Sequence, residues 1–139
     1  MCGGVRYQVD GKEISVYFPQ PGAVLPVRNH DGSAALVIWG RRKEEEGHLP
    51  KTGWARLDSI KSGKWNQYQP RPVLIVVDGF MEKDINGKSH WYMVTKGQYI
   101  QGLLAREGEE RRVYVVTIPP AEPLDMAVHD RWPRLVTAL

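Results

Sequence analysis

Cysteine is nearly absent from this chain, which holds one thiol, Cys2, in 139 residues. A lone thiol closes no internal disulfide and builds no multi-cysteine zinc site, which excludes a disulfide-stapled secreted scaffold and a zinc ribbon. Long apolar runs are missing too. The longest, Ala34 to Trp39 and Val73 to Val77, fall far short of the roughly 18 residues of a membrane span. The opening MCGGVRYQVD has no charged segment leading into an apolar one, so no signal peptide is visible and the expected setting is the cytoplasm. Neither charge dominates: 19 Lys+Arg against 16 Asp+Glu leave a net +3, too little on its own to name a partner. The 4 histidines are scattered without ligand spacing, so no metal is implied. A phosphate-binding glycine loop, an HExxH and a G-x-S-x-G elbow are all lacking, so no organic cofactor is implied either.

What is present is strand periodicity. Val5, Tyr7 and Val9 alternate with polar residues, and Ile14, Val16 and Phe18 resume the pattern after Asp10-Gly11, a hairpin signal. Asp31-Gly32 separates Leu25–Val27 from 34–39, and Asn86-Gly87 separates 79–83 from 90–94. Val73 to Val77 is β-branched and continuous, as a strand covered on both faces should be. Tyr99–Leu104 and Val113–Ile118 complete the series. Short helices are expected at Arg56 to Trp65 and Pro123 to Val128, and most of the 10 prolines fall between the runs. Arg41-Arg42-Lys43 running into Glu44-Glu45-Glu46 reads as a solvated loop with self-compensating charge, and Glu107 to Arg112 reads the same way. With no repeat, linker or low-complexity tract, residues 1–139 form one mostly β domain of hairpins, long enough to bury a core and to close into a barrel.

The lone cysteine stands where loss of Met1 would leave it N-terminal, and the small residues Gly3-Gly4 favour that removal. The product is a 1,2-aminothiol whose amine, with a reference pKa of about 7.7–8.0, is partly neutral and nucleophilic near neutral pH. Its amine turns an aldehyde into an imine, and its thiol then closes a five-membered thiazolidine. An internal cysteine has no such amine.

Met1-Cys2-Gly3, Ile38-Trp39-Gly40, Trp54-Ala55-Arg56, Asp78-Gly79-Phe80-Met81-Glu82 and Val128-His129-Asp130-Arg131-Trp132-Pro133 follow one another along the chain. In that order they resemble the Met-Cys-Gly-Arg, Trp-Gly, Asn-Ala-Arg, Gly-Phe-Tyr-Glu-Trp and His-Asp-Arg-Met-Pro motifs of the SOS response-associated peptidase family. The resemblance implies an α+β fold, predominantly β, with a barrel-like bifurcated sheet and a few short helices. It also implies a sensor of abasic sites in single-stranded DNA that removes its own Met1 and links covalently to the lesion. Cys2 would be the nucleophile. Glu82 would assist methionine removal and proton transfer at the sugar, and His129 would assist ring opening and imine chemistry. Trp39 would stack a base, with Arg56 clamping a phosphate and Trp54 offering a second stacking face. The implied partner is single-stranded DNA carrying abasic sites, with no membrane and no small-molecule cofactor, and the protein acts as a monomer.

Each residue has a plainer alternative. Glu82 is otherwise an exposed hairpin residue, His129 a helix cap or a partner of Asp130, and Trp39 a core side chain; Arg131 suits a carbonyl or Asp130 better than DNA. The match also breaks at named places. Gly4 replaces an arginine, Met81 and Lys83 replace aromatics, and the chain reaches Leu139 without the family's further strand and helix. Trp54 replaces an asparagine that orients the cysteine, and an indole carries one donor and no acceptor. Three functions therefore compete: an abasic-site-linking enzyme, a single-strand-binding module without the chemistry, and a structural or protein-interaction domain.

Overall fold

The computed structural model describes residues 2–120 and 131–139. β1 (Gly4–Val9) and β2 (Lys12–Tyr17) pair antiparallel, Gly4 opposite Tyr17 and Val9 opposite Lys12. Their turn residues Asp10 and Gly11 both have positive φ, 51° and 78°, which matches the right-handed twist of the strands they join. The other edge of β1 takes β7 (Gly79–Lys83), and β7 takes β8 (Ser89–Met93), for a four-stranded sheet in the order β2-β1-β7-β8.

The larger sheet is built on β6 (Arg71–Ile75), β9 (Tyr99–Glu107) and β10 (Glu110–Ile118). The hairpin β3 (Val24–Arg28) and β4 (Ala34–Ile38) extends it on one side, and β11 (Trp132–Pro133) on the other. This gives the order β11-β10-β9-β6-β3-β4; β12 (Leu135–Val136) adds to β9, and β5 (Trp54–Arg56) runs parallel to β10. With 49% strand and 6% helix among the described residues, the fold is predominantly β. Neither sheet closes into a barrel among the described residues; β4 returns toward β10 through the single bridge Trp39–Val113. Gly40 makes that return possible. Its φ is 58°, and a Cβ there would lie 2.2 Å from the Thr52 carbonyl oxygen, so the Trp-Gly step is required by packing.

One core cluster is shared by both sheets: Val5, Tyr7 and Phe80 from the smaller meet Leu25, Ile75, Ile100 and Val113 from the larger. Cys2 lies inside it. A second cluster, including Leu49, Trp65, Leu103 and Tyr114, packs against Leu57 and Ile60 of α1 (Leu57–Lys61).

Several expectations are corrected. β6 begins at Arg71 and not at Val73, because its register with β9 sets Arg71 opposite Leu104 and Ile75 opposite Ile100. The helix expected over Arg56 to Trp65 shrinks to α1, since Trp54–Arg56 pairs with β10, and a 3-10 turn follows at Asn66–Tyr68. The helix expected at Pro123 to Val128 lies outside the described residues. The charged stretch after Gly40 is solvated only in part: Lys43, Glu44 and Glu46 are exposed, but Arg41 and Arg42 are buried. Arg41 donates to the carbonyls of Glu45 and Leu49, and Arg42 to those of Gln20 and Gly40. Glu107 to Arg112 also contains a buried arginine, Arg112, between Glu110 at 2.8 Å and Glu45 at 3.3 Å. Among the described residues no helix is long and apolar enough to cross a membrane.

Candidate functional site

The start of the chain is stitched between two strands. The Gly3 N–H donates to the Met81 carbonyl at 3.1 Å, and the Phe18 N–H donates to the Gly3 carbonyl at 3.2 Å. This brings Cys2 to the mouth of the β1–β7 ladder with a fully buried side chain. Its thiol donates to the Gly4 carbonyl at 3.4 Å. Burial raises the thiol pKa well above its ordinary value, and the charge of Glu82 raises it further. Near neutral pH Cys2 is a thiol and not a thiolate.

Glu82 follows Met81 on β7, directly after the residue that holds Gly3. It is wholly buried, so the exposed-hairpin alternative is excluded. The smaller sheet thus sets a buried carboxyl within electrostatic reach of the thiol.

Trp54 comes from the larger sheet. Its indole N–H donates to the Cys2 carbonyl at 2.7 Å, and its ring meets Phe18 edge-on at 5.2 Å. The substituted position therefore grips the cysteine's backbone with the one donor an indole has. Phe18, which motif reading passes over, lies between Trp54 and Trp39, the latter ring centroid 5.7 Å away. The alternation of Ile14, Val16 and Phe18 marked it as core-facing, but nothing local showed that it would brace both indoles.

Trp39 is a correction. It is fully buried and its indole N–H donates to the Gly53 carbonyl at 2.9 Å, so it presents no face to a base. It is a core side chain that supports Phe18 from below. At Gly4 a Cβ would meet the Tyr17 ring at 2.7 Å, so a larger residue there requires that ring to shift.

Arg56 is exposed at the end of β5, and its guanidinium forks onto Asp58, Nε to Oδ1 at 3.1 Å and Nη2 to Oδ2 at 2.9 Å. That hydrogen bonding draws the Asp58 carboxyl down to about 2. A phosphate at Arg56 would have to displace this carboxylate. The parallel register sets Arg56 beside Thr117, and Arg131 donates to the Thr117 carbonyl at 2.7 Å, the kind of partner expected for it. His129 and Asp130 lie outside the described residues. Cys2, Glu82 and Trp54 are thus brought together, Arg56 sits at the same β5–β10 corner as Arg131, and Trp39 lies beneath. Among the described residues no three His, Cys, Asp or Glu side chains are grouped to hold a metal ion. No protein-family profile and no curated protein matches the chain.

Proposed function

We propose that the chain links covalently to abasic sites in single-stranded DNA through Cys2 once Met1 is removed. The observation that carries this reading is the juxtaposition of the buried Cys2 thiol with buried Glu82, the cysteine's carbonyl being pinned by Trp54. Hydrolysis of the Met1–Cys2 peptide bond consumes one water and frees the Cys2 α-amine. The amine attacks the aldehyde carbon of the ring-opened sugar; the oxygen leaves as water and an imine forms. The sulfur then bonds to the imine carbon, and the thiol proton ends on the nitrogen, closing the thiazolidine. A thiol kept protonated by burial needs a base as the carbon–sulfur bond forms, and the Glu82 carboxylate is the near group for that transfer. His129 keeps the role the resemblance implies, assisting ring opening. The two sheets act as halves of one barrel-like, bifurcated body around the shared core, and the protein works as a cytoplasmic monomer.

The test is incubation with a fluorescent single-stranded oligonucleotide containing one abasic site, followed by a denaturing gel, with intact mass reporting loss of Met1. A shifted band is expected from the wild type and none from Cys2→Ala. Met1-free protein that forms no adduct would overturn the reading. The complete burial of Cys2 favours a second reading, a strand-binding module without the chemistry. That reading expects affinity for the strand with no shifted band.

A further inference from the structure

Three exposed arginines stand apart from the Cys2 site, where β6 begins and the β9–β10 hairpin ends. Cross-strand register sets Arg71 opposite Leu104, and Arg106 opposite Arg111. Residues two apart on a strand share a face, so Arg71, Leu104, Arg106 and Arg111 lie on one side of the larger sheet. Leu104 belongs to the shared core, so this is the core-side face where it runs out to solvent. Directly opposed side chains have Cβ atoms about 5 Å apart and diagonal ones about 7–8 Å apart, which keeps all three guanidiniums within reach of one extended anion.

No Asp or Glu side chain lines the two cavities, and Leu139, with its backbone carboxylate, lines the larger one. Among the described residues none of the three forms an ion pair. The neighbouring carboxylates are engaged or turned to other tasks: Glu110 holds Arg112, and Asp31 accepts from Ser33. Glu107 and Glu109 are exposed at the hairpin tip. Like charges directly opposed across a ladder cost stability. An anion bound there would relieve the repulsion between Arg106 and Arg111.

The surface between them is a trough. Two cavities of about 550 and 400 Å³ adjoin there, both lined by Arg71, Leu104 and Arg111, with Arg106 toward one end and Arg28 and His30 toward the other. An elongated trough lined by forked donors suits a chain of phosphates better than a single small anion.

We propose that this trough is a second binding site, which takes the phosphodiester backbone of single-stranded nucleic acid through Arg71, Arg106 and Arg111. It rests on the single-strand reading given above but not on the Cys2 chemistry. The lining of the trough includes none of Cys2, Trp54 and Glu82, so it is distinct from the linkage site.

The probe is an undamaged fluorescent oligothymidylate, titrated over a range of salt concentrations. Each phosphate contact on a single strand contributes roughly 0.7 to the slope of log K against log salt. Replacing all three arginines by alanine is expected to lower that slope by about 2 and to weaken binding tenfold or more near physiological salt. The triple lysine variant keeps the charge, should keep most of the slope, and reports that the fold is intact. An alanine variant that folds and keeps the wild-type slope overturns the proposal, as does a wild type with no salt-dependent binding. The adduct assay separates this failure from that of the Cys2 reading. Adducts from a wild type whose strand binding ignores the three arginines sink the trough alone. An arginine-dependent slope with no adduct from Met1-free protein leaves the trough standing and sinks the linkage.

Discussion

At the scale of single residues, the informative substitution is Trp54. An asparagine would offer a donor and an acceptor there; the indole offers its N–H alone, and the Cys2 carbonyl takes it at 2.7 Å. Trp54→Phe keeps an aromatic ring against Phe18 and removes the donor together with part of the indole's bulk. A hydrogen bond of this kind is worth about 1 kcal/mol, and losing it frees the backbone whose amine must meet the aldehyde. The adduct rate of Trp54→Phe is therefore expected to fall about fivefold, while its affinity for undamaged strand stays near that of the wild type. Trp54→Asn should behave alike, since its shorter arm stops short of Cys2. On the resemblance alone it would be expected to speed the reaction, and the indole bond reverses that expectation. An unchanged rate in Trp54→Phe would mean that Gly3's backbone bonds hold Cys2 without help. Cys2 and Glu82 are legible in the sequence because motifs mark them. Phe18 is not, because bracing two indoles drawn from separate strands is a property of the packing.

At the scale of elements, hairpins are the legible part. Asp10-Gly11, Asp31-Gly32 and Asn86-Gly87 announce their turns locally, and the paired strands follow within a few residues. What escapes is whatever a distant partner decides. Arg41 to Glu46 looks like a solvated charge run because the acceptors and ion partners that bury it include Gln20, Leu49 and Arg112, all outside the run. β5 is hidden for the same reason, since three residues become a strand only beside β10. This buried charge makes a stability prediction. Arg112 donates to the Gly40 carbonyl at 2.9 Å and faces both Glu45 and Glu110. Arg112→Ala takes the guanidinium from both carboxylates, leaving Glu45 to Arg42 and Glu110 to the backbone N–H groups of His48 and Leu49. Breaking a fully buried pair costs about 3–5 kcal/mol, and partial solvent access to the glutamates trims this to about 2–3 kcal/mol. Urea unfolding followed by tryptophan fluorescence measures it. A loss below about 0.5 kcal/mol, the size of an ordinary surface substitution, would show the network to be solvated in solution.

At the scale of the whole molecule, the thiol that the proposed chemistry needs is also part of the core that joins the two sheets, so reactivity and stability are coupled through one proton. Burial holds the Cys2 pKa above its ordinary value, and burial raises Tyr114 and Tyr7 as well. The folded protein keeps these protons at alkaline pH while the unfolded chain gives them up. The unfolded state then binds fewer protons, so stability must fall as pH rises. The contribution from Cys2 is intact below its unfolded value of 9.0 and is lost progressively above it, by at most about 1.4 kcal/mol for each pH unit. The tyrosines add their share from about pH 10 upward. Thermal melts taken from about pH 7.5 to about pH 9 isolate the cysteine, because at pH 9 only about a tenth of the unfolded chain's tyrosines are ionised. The wild-type melting temperature is expected to drop across that window, and Cys2→Ala, lower throughout for want of the sulfur's packing, should follow a visibly shallower slope. Parallel curves would mean that the thiol ionises in the folded protein, and the proton transfer assigned to Glu82 would then have nothing to move. A steeper wild-type curve means that ring closure must strip a proton the fold is built to keep, so the adduct rate should depend on Glu82 from neutral pH through about pH 9.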